Sequence, residues 1–206
     1  PRELLKSFFR ALLIGGPLYV LFVGTLMAVQ KAEPLAMAAG IFAAYTLAFY
    51  VVYVAAYSAR RYRVTRTRWR GLRMDQSGSA SEYAARMLRG LFLTLLSLGL
   101  YSPFMTVDAY RYTMEHTHLG KQAFTVRARG EDLFGKWILA LLLTLPTLGV
   151  SQVWFSVQAQ RYLVERTQLG AVRLRLNVRT ADVVGLTIVN LLLVVGTAGL
   201  AAPVAL

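Results

Sequence analysis

A chain of 206 residues that is 56% hydrophobic, with a mean hydropathy of +0.49, carries more apolar surface than one soluble domain of that size can bury. The formal charge of +13 would suit a nucleic-acid binder, but the arginines lie between apolar runs, where the cytoplasmic flanks of membrane segments are basic. Nucleic acid is therefore set aside, and the absence of cysteine excludes disulfides and thiol chemistry.

Residues 1–10 form a short basic lead-in with Arg2, Lys6 and Arg10. The chain opens on Pro1, not Met, so further residues are expected upstream. Residues 11–29 are apolar throughout, about the ~20 residues that cross a bilayer, and have no signal-peptide cleavage pattern. After a turn at residues 30–34, with Pro34 suited to a first helical position, residues 35–57 make a second span. Arg10 and Arg60 then share one side of the membrane, the cytoplasmic side.

Beyond Arg60 lies an arginine-dense loop (Arg63, Arg66, Arg68, Arg70, Arg73) and a flexible Gly/Ser link over residues 76–81. Two apolar runs follow, residues 87–107 and 137–157, each interrupted near its middle, and a third begins at Val183.

A fifty-residue period organises this order. Arg61-Tyr62, Arg111-Tyr112 and Arg161-Tyr162 each precede a Thr and then a Gly: Thr67 and Gly71, Thr117 and Gly120, Thr167 and Gly170. Glu82, Asp132 and Asp182 keep the period, as do Gly99, Gly149 and Gly199. Internal repeats fix architecture, so one membrane domain is expected with units of about 1–81, 82–131, 132–181 and an incomplete 182–206. The third Arg-Tyr element would be followed by a fourth, so the natural chain is expected to continue past Leu206.

Between each Gly and the next acidic residue lies a short alternating stretch, best at 172–178, weaker at 122–128, and reduced to Leu72 and Met74 in the first unit. Short strands cannot satisfy their hydrogen bonds alone, so they are expected to pair into a small cytoplasmic sheet, with Gly71, Gly120 and Gly170 turning the chain out of the preceding helix. The fold class expected is an all-α polytopic membrane protein with two full transmembrane helices, short re-entrant or kinked hairpins, and small strands between them.

A single crossing by residues 87–107 would put two basic loops carrying the same motif on opposite sides. An even number of passes avoids this. About ten residues per arm reach ~15 Å, half of a ~30 Å core. Re-entrant hairpins turning at residues 98–103 and 148–152 are the expectation; a kinked single span is the alternative. Ser102 and Pro103 read as N-cap and first turn of a returning helix, Gly99 and Gly149 as ends of the outgoing one, with Gly199 in register.

Arg61, Arg111 and Arg161 are placed to hold lipid phosphate, and Tyr62, Tyr112 and Tyr162 to anchor at the interface; plain helix-end anchoring is the competing reading. Glu115 and Glu165 stand four residues after Arg111 and Arg161 and could pair with them. His116 and His118 are too close in sequence to share a helix face, so no metal is expected, nor any cofactor. Asn190, the one amide within an apolar run, reads as interhelical glue, with part of a polar path as the alternative. Catalytic motifs are absent, and no acidic residue lies mid-span as a proton-coupled transporter would need.

Residues 93–104 (LTLLSLGLYSPF), then Tyr110-Arg111-Tyr112, Thr117, Gly120 and Phe124, resemble the YjgN-like family of bacterial inner-membrane proteins. The family pattern has Trp where Phe104 stands, and the turn near Gly149 lacks its Tyr and Pro, so a looser turn is expected there. The resemblance covers roughly residues 40–206 and implies a location and an architecture but no activity. It also implies association with a membrane metalloprotease. The reading is a non-enzymatic membrane protein that organises anionic lipid or a partner. A channel or transporter using the re-entrant turns is the rival.

Overall fold

The computed structural model describes residues 23–24, 34–69, 71–147, 149–177, 179–186 and 189. The first expected span at 11–29, apart from residues 23–24, lies outside them, as do Asn190 and Gly199. The chain divides into two compact units, Pro1–Ala59 with Ala80–Leu88, and Arg60–Ser79 with Arg89–Leu206.

The first described helix, α1 (Pro34–Arg66), starts on proline, whose missing N–H and fixed φ suit that position. Its most apolar window has a mean hydropathy of 2.0, and it is the one helix among the described residues long and apolar enough to cross a membrane. Arg61, Tyr62, Arg63 and Arg66 belong to its last turns and not to a loop. In the first unit the Tyr57 and Tyr83 rings pack with centroids 5.1 Å apart, and Arg86 pairs with Glu82 at 3.0 Å.

The expected all-α polytopic fold is wrong. The second unit carries an antiparallel six-stranded sheet in the order β1 to β6, formed by β1 (Arg68–Trp69), β2 (Leu72–Gln76), β3 (Thr117–Leu119), β4 (Gln122–Val126), β5 (Thr167–Leu169) and β6 (Val172–Arg173). Register is fixed by pairs such as Gln76 with Thr117 and Val126 with Thr167. Side chains alternate across the sheet: Gln76, Thr117, Leu119, Phe124, Val126 and Thr167 are buried, while Arg68, Arg73, Asp75 and Thr125 are exposed. The glycines turn strands, not helices. Gly120 (φ 61) and Gly170 (φ 58) hold the first position of two-residue hairpin loops, where a positive φ is required.

Helices come in consecutive pairs, α2 (Ala80–Leu96) with α3 (Ser102–Glu115) and α4 (Glu131–Leu143) with α5 (Val150–Glu165); α3 lies against β3 and β4, and α5 against β5. Inside the second unit Val107, Val126, Leu133, Phe155 and Leu163 form one cluster, with Trp137 and Trp154 packed on it. Full burial of each large side chain is worth about 1.5–3 kcal/mol. Gly130 lets α4 approach α3, since a Cβ there would meet the Phe104 ring and come within 3.0 Å of its Cα.

Both apolar runs break where the sequence breaks. At the end of α2, Gly99 N–H donates to Thr94 O (2.7 Å) and Leu98 N–H to Leu95 O (3.2 Å), the paired bonds of a Schellman close. The same long bond, Gly149 N–H to Thr144 O (2.9 Å), closes α4. The turn without Tyr and Pro therefore shares the long bond of the first; residue 148 lies outside the described residues. Ser102 is the first residue of α3 and not its cap; Tyr101 holds that position, and its N–H is taken by Ser97 Oγ at 2.9 Å.

Candidate functional site

The Arg-Tyr-Thr stretch marks each passage from helix to strand. The threonine comes first in the physics. A helix ends with orphan carbonyls, and Thr67, Thr117 and Thr167 each turn a hydroxyl back to one, on Arg63 (3.0 Å), Thr113 (2.6 Å) and Leu163 (2.7 Å). The chain then enters β1, β3 or β5.

The tyrosines differ. Tyr112 is buried, and its hydroxyl accepts from Ser79 N–H (3.1 Å) while donating to Ser79 O (3.0 Å). Tyr162 accepts from Arg129 N–H (2.9 Å) and donates to the Asp132 carboxylate. Burial first, then the Asp132 bond, pushes its phenol above the usual tyrosine range. Tyr62 is 55% exposed, and the Arg66 guanidinium lies 4.0 Å over its ring. Tyr112 and Tyr162 therefore tie the chain together, and Tyr62 alone of the three is exposed.

The arginines divide likewise. Arg111 donates to Ala128 O in place of Glu115, and its Nε is buried without a partner. Arg161 Nε lies 3.5 Å from Glu165 Oε1, an ion pair too long for a good hydrogen bond. Arg61 is exposed on the last turns of α1. His116 packs on the Tyr112 ring at 4.2 Å with Nδ1 2.7 Å from Tyr112 O.

The hairpin tips carry a different chemistry. Leu95, Leu96, Leu98 and Leu100 are exposed by 64, 85, 88 and 42%, and Leu142 and Leu145 by 71 and 87%. No charged residue occurs between Gly90 and Val107 or between Trp137 and Gln160. Leu98 also holds φ 52, a left-handed conformation that glycine adopts at much lower cost. The turn backbone itself is engaged: Trp137 Nε1–H donates to Gly99 O at 2.9 Å. Pro103, in the first turn of α3, is buried.

A model of a bacterial protein family of unknown function (DUF898) matches residues 1–152 and, separately, 138–206. The chain belongs to this family. It is the YjgN-like family that the sequence resembles, and membership assigns no activity. No curated protein and no solved structure matches the chain.

Sequence reasoning found the Arg-Tyr pairs and the Gly99 and Gly149 turns. It missed Ser79 and Asp132 as tyrosine partners, the left-handed Leu98, and a basic cleft beside β6. The recurrence of Thr67, Thr117 and Thr167 was the signal that could have identified the helix-to-strand passage.

Proposed function

We propose that the protein is a non-catalytic component of the bacterial inner membrane that gathers anionic lipid, or a partner held with it, at the cytoplasmic face. Helix α1 is the crossing segment. The hairpins α2–α3 and α4–α5 dip into one leaflet only, their uncharged arms being roughly nine to twelve residues, or ~13–18 Å at 1.5 Å per residue. The exposed arginines of the sheet and of the end of α1 lie in the headgroup layer, where each contributes ~1 kcal/mol toward an anionic surface.

One observation carries this reading: a leucine, 88% exposed, stands at the tip of the first hairpin in a left-handed conformation. Strain of that kind persists where the side chain has work to do. In water Leu98 would be a liability twice over; in hydrocarbon the side chain offsets the backbone cost. The channel reading lacks comparable support, because the Gly99 carbonyl that a path would use is taken by the Trp137 indole.

The chain has no cysteine, so single cysteines can be placed without background. Cysteines at Leu98 and Leu145 should resist an impermeant maleimide from both sides of the membrane, while one at Thr125 should react from the cytoplasm. Labelling of the tips from the periplasm would overturn the half-depth placement.

A further inference from the structure

Beside the last strand lies an open cleft of about 700 Å³. Arg161 and Glu165 of α5 form one wall, and Arg173, Arg175, Leu176 and Asn177 form the other. Three guanidiniums face a single carboxylate, and that carboxylate is held by Arg161 at 3.5 Å. Arg173 and Arg175 are exposed, and their side chains have no hydrogen-bond or ion-pair partner among the described residues. Arg161 Nε is buried and lacks a hydrogen bond of its own. Residues 174–177 continue the chain past β6, and the peptide groups of 175–177 make no backbone hydrogen bond among the described residues.

These features ask for an anion with several acceptor oxygens. A second strand of this chain is a poor occupant. Continuing the register of β4 with β5 would set Arg175 opposite Arg68 of another copy, like charges in direct apposition. A phosphate group meets every requirement at once. Guanidiniums bind it in a bidentate fork, free peptide N–H groups add donors, and Leu174 and Leu176 give the rest of the ligand an apolar wall. The volume is that of an ordinary small-molecule site.

We propose that this cleft is a phosphate-binding site for an anionic phospholipid headgroup, with Arg173 and Arg175 as its primary contacts and Glu165 as an internal competitor for Arg161. This deepens the headgroup-binding reading above and rests on it. The same chemistry would take a soluble phosphate compound, so the test separates the two sources.

Purified full-length protein in a neutral detergent is titrated with short-chain phosphatidic acid, with phosphatidylcholine of the same chain length, and with pyrophosphate, reading the shift in thermal midpoint. Phosphatidic acid should raise the midpoint and phosphatidylcholine should not; the shift should shrink with salt. A shift with pyrophosphate equal to that with phosphatidic acid would place the ligand in solution and overturn the lipid source. The double variant R173A/R175A should lose roughly thirtyfold in apparent affinity for phosphatidic acid. Glu165→Gln, which frees Arg161, should tighten binding severalfold. An unchanged titration in the double variant, with its midpoint in plain detergent at the wild-type value, overturns the site, as does weaker binding by Glu165→Gln. Failure of the maleimide experiment alone, with these titrations as expected, would reject the hairpin placement and leave the phosphate site standing.

Discussion

Tyr112 closes on the peptide of Ser79 from both sides, accepting from its N–H at 3.1 Å and donating to its carbonyl at 3.0 Å. Thirty-three residues separate the two, so the pair of bonds ties the segment after β2 to the last turn of α3. Tyr112→Phe removes both bonds from a buried ring to an exposed peptide, a loss of about 0.5–1.5 kcal/mol for each. Tyr62→Phe removes a hydroxyl from an exposed ring and should cost less than about 0.5 kcal/mol. Denaturant titrations of both variants in mild detergent give the comparison.

Alkaline pH should find the same architecture at its second occurrence. The Tyr162 phenol is raised by burial and by its bond to Asp132, and Tyr110 is raised by burial against the opposing effects of Thr167 and Arg60. A group whose folded pKa exceeds its unfolded value binds its proton more tightly when folded. Its stabilisation is full below the unfolded pKa, about 10 for tyrosine, and is lost as pH climbs through the raised folded value. Stability should therefore fall above about pH 10, and Tyr162→Phe should make that fall shallower. Thermal midpoints from pH 8 to 11, measured on both proteins, read the difference.

Gln76 is fully buried on β2, and neither its side-chain oxygen nor its nitrogen has a hydrogen-bond partner. Val126, the residue fifty positions later, pairs with Thr167 as Gln76 pairs with Thr117, and sits in the apolar cluster. Replacing the amide by Met keeps the length and removes the desolvated dipole, so Gln76→Met should stabilise by about 1–3 kcal/mol. Equilibrium unfolding decides it; a loss of stability would overturn the desolvation argument.

At Leu98 stability and attachment should move in opposite directions. Leu98→Gly relieves a left-handed residue and should raise stability in detergent by about 1 kcal/mol. In bilayers of brominated lipid the same variant should bring less quenching of Trp137, whose indole is bonded at that turn. Quenching equal to the wild type would separate the tip from membrane insertion.

The breaks near Gly99 and Gly149 were legible because a helix that ends inside an apolar run needs a residue tolerant of positive φ, and glycine stands out there. The sheet was half legible. Alternation is strongest at residues 172–178, yet β6 forms only Val172–Arg173, because it pairs on one side alone among the described residues. Leu72–Gln76, with almost no alternation, forms five residues of strand because β1 and β3 flank it. Partners outrank propensity in so short an element. The strands β1, β3 and β5 escaped notice because two or three residues show no period. The all-α expectation failed for that reason: helices announce themselves by length, whereas this sheet is assembled from fragments far apart in sequence. As for the site, arginine and tyrosine were visible as letters, but only coordinates separate Tyr112 the buried tie from Tyr62 the exposed ring.

Every strand of the sheet pairs only with its neighbours in chain order. Such a sheet has no crossing connections to re-thread. A block made of one helical hairpin and one strand pair could be deleted or duplicated, and the remaining strands would close ranks in the same register. Stability then accrues joint by joint along one dimension, and the protein is free, in evolution or by design, to change its span in whole blocks while every joint keeps the same construction.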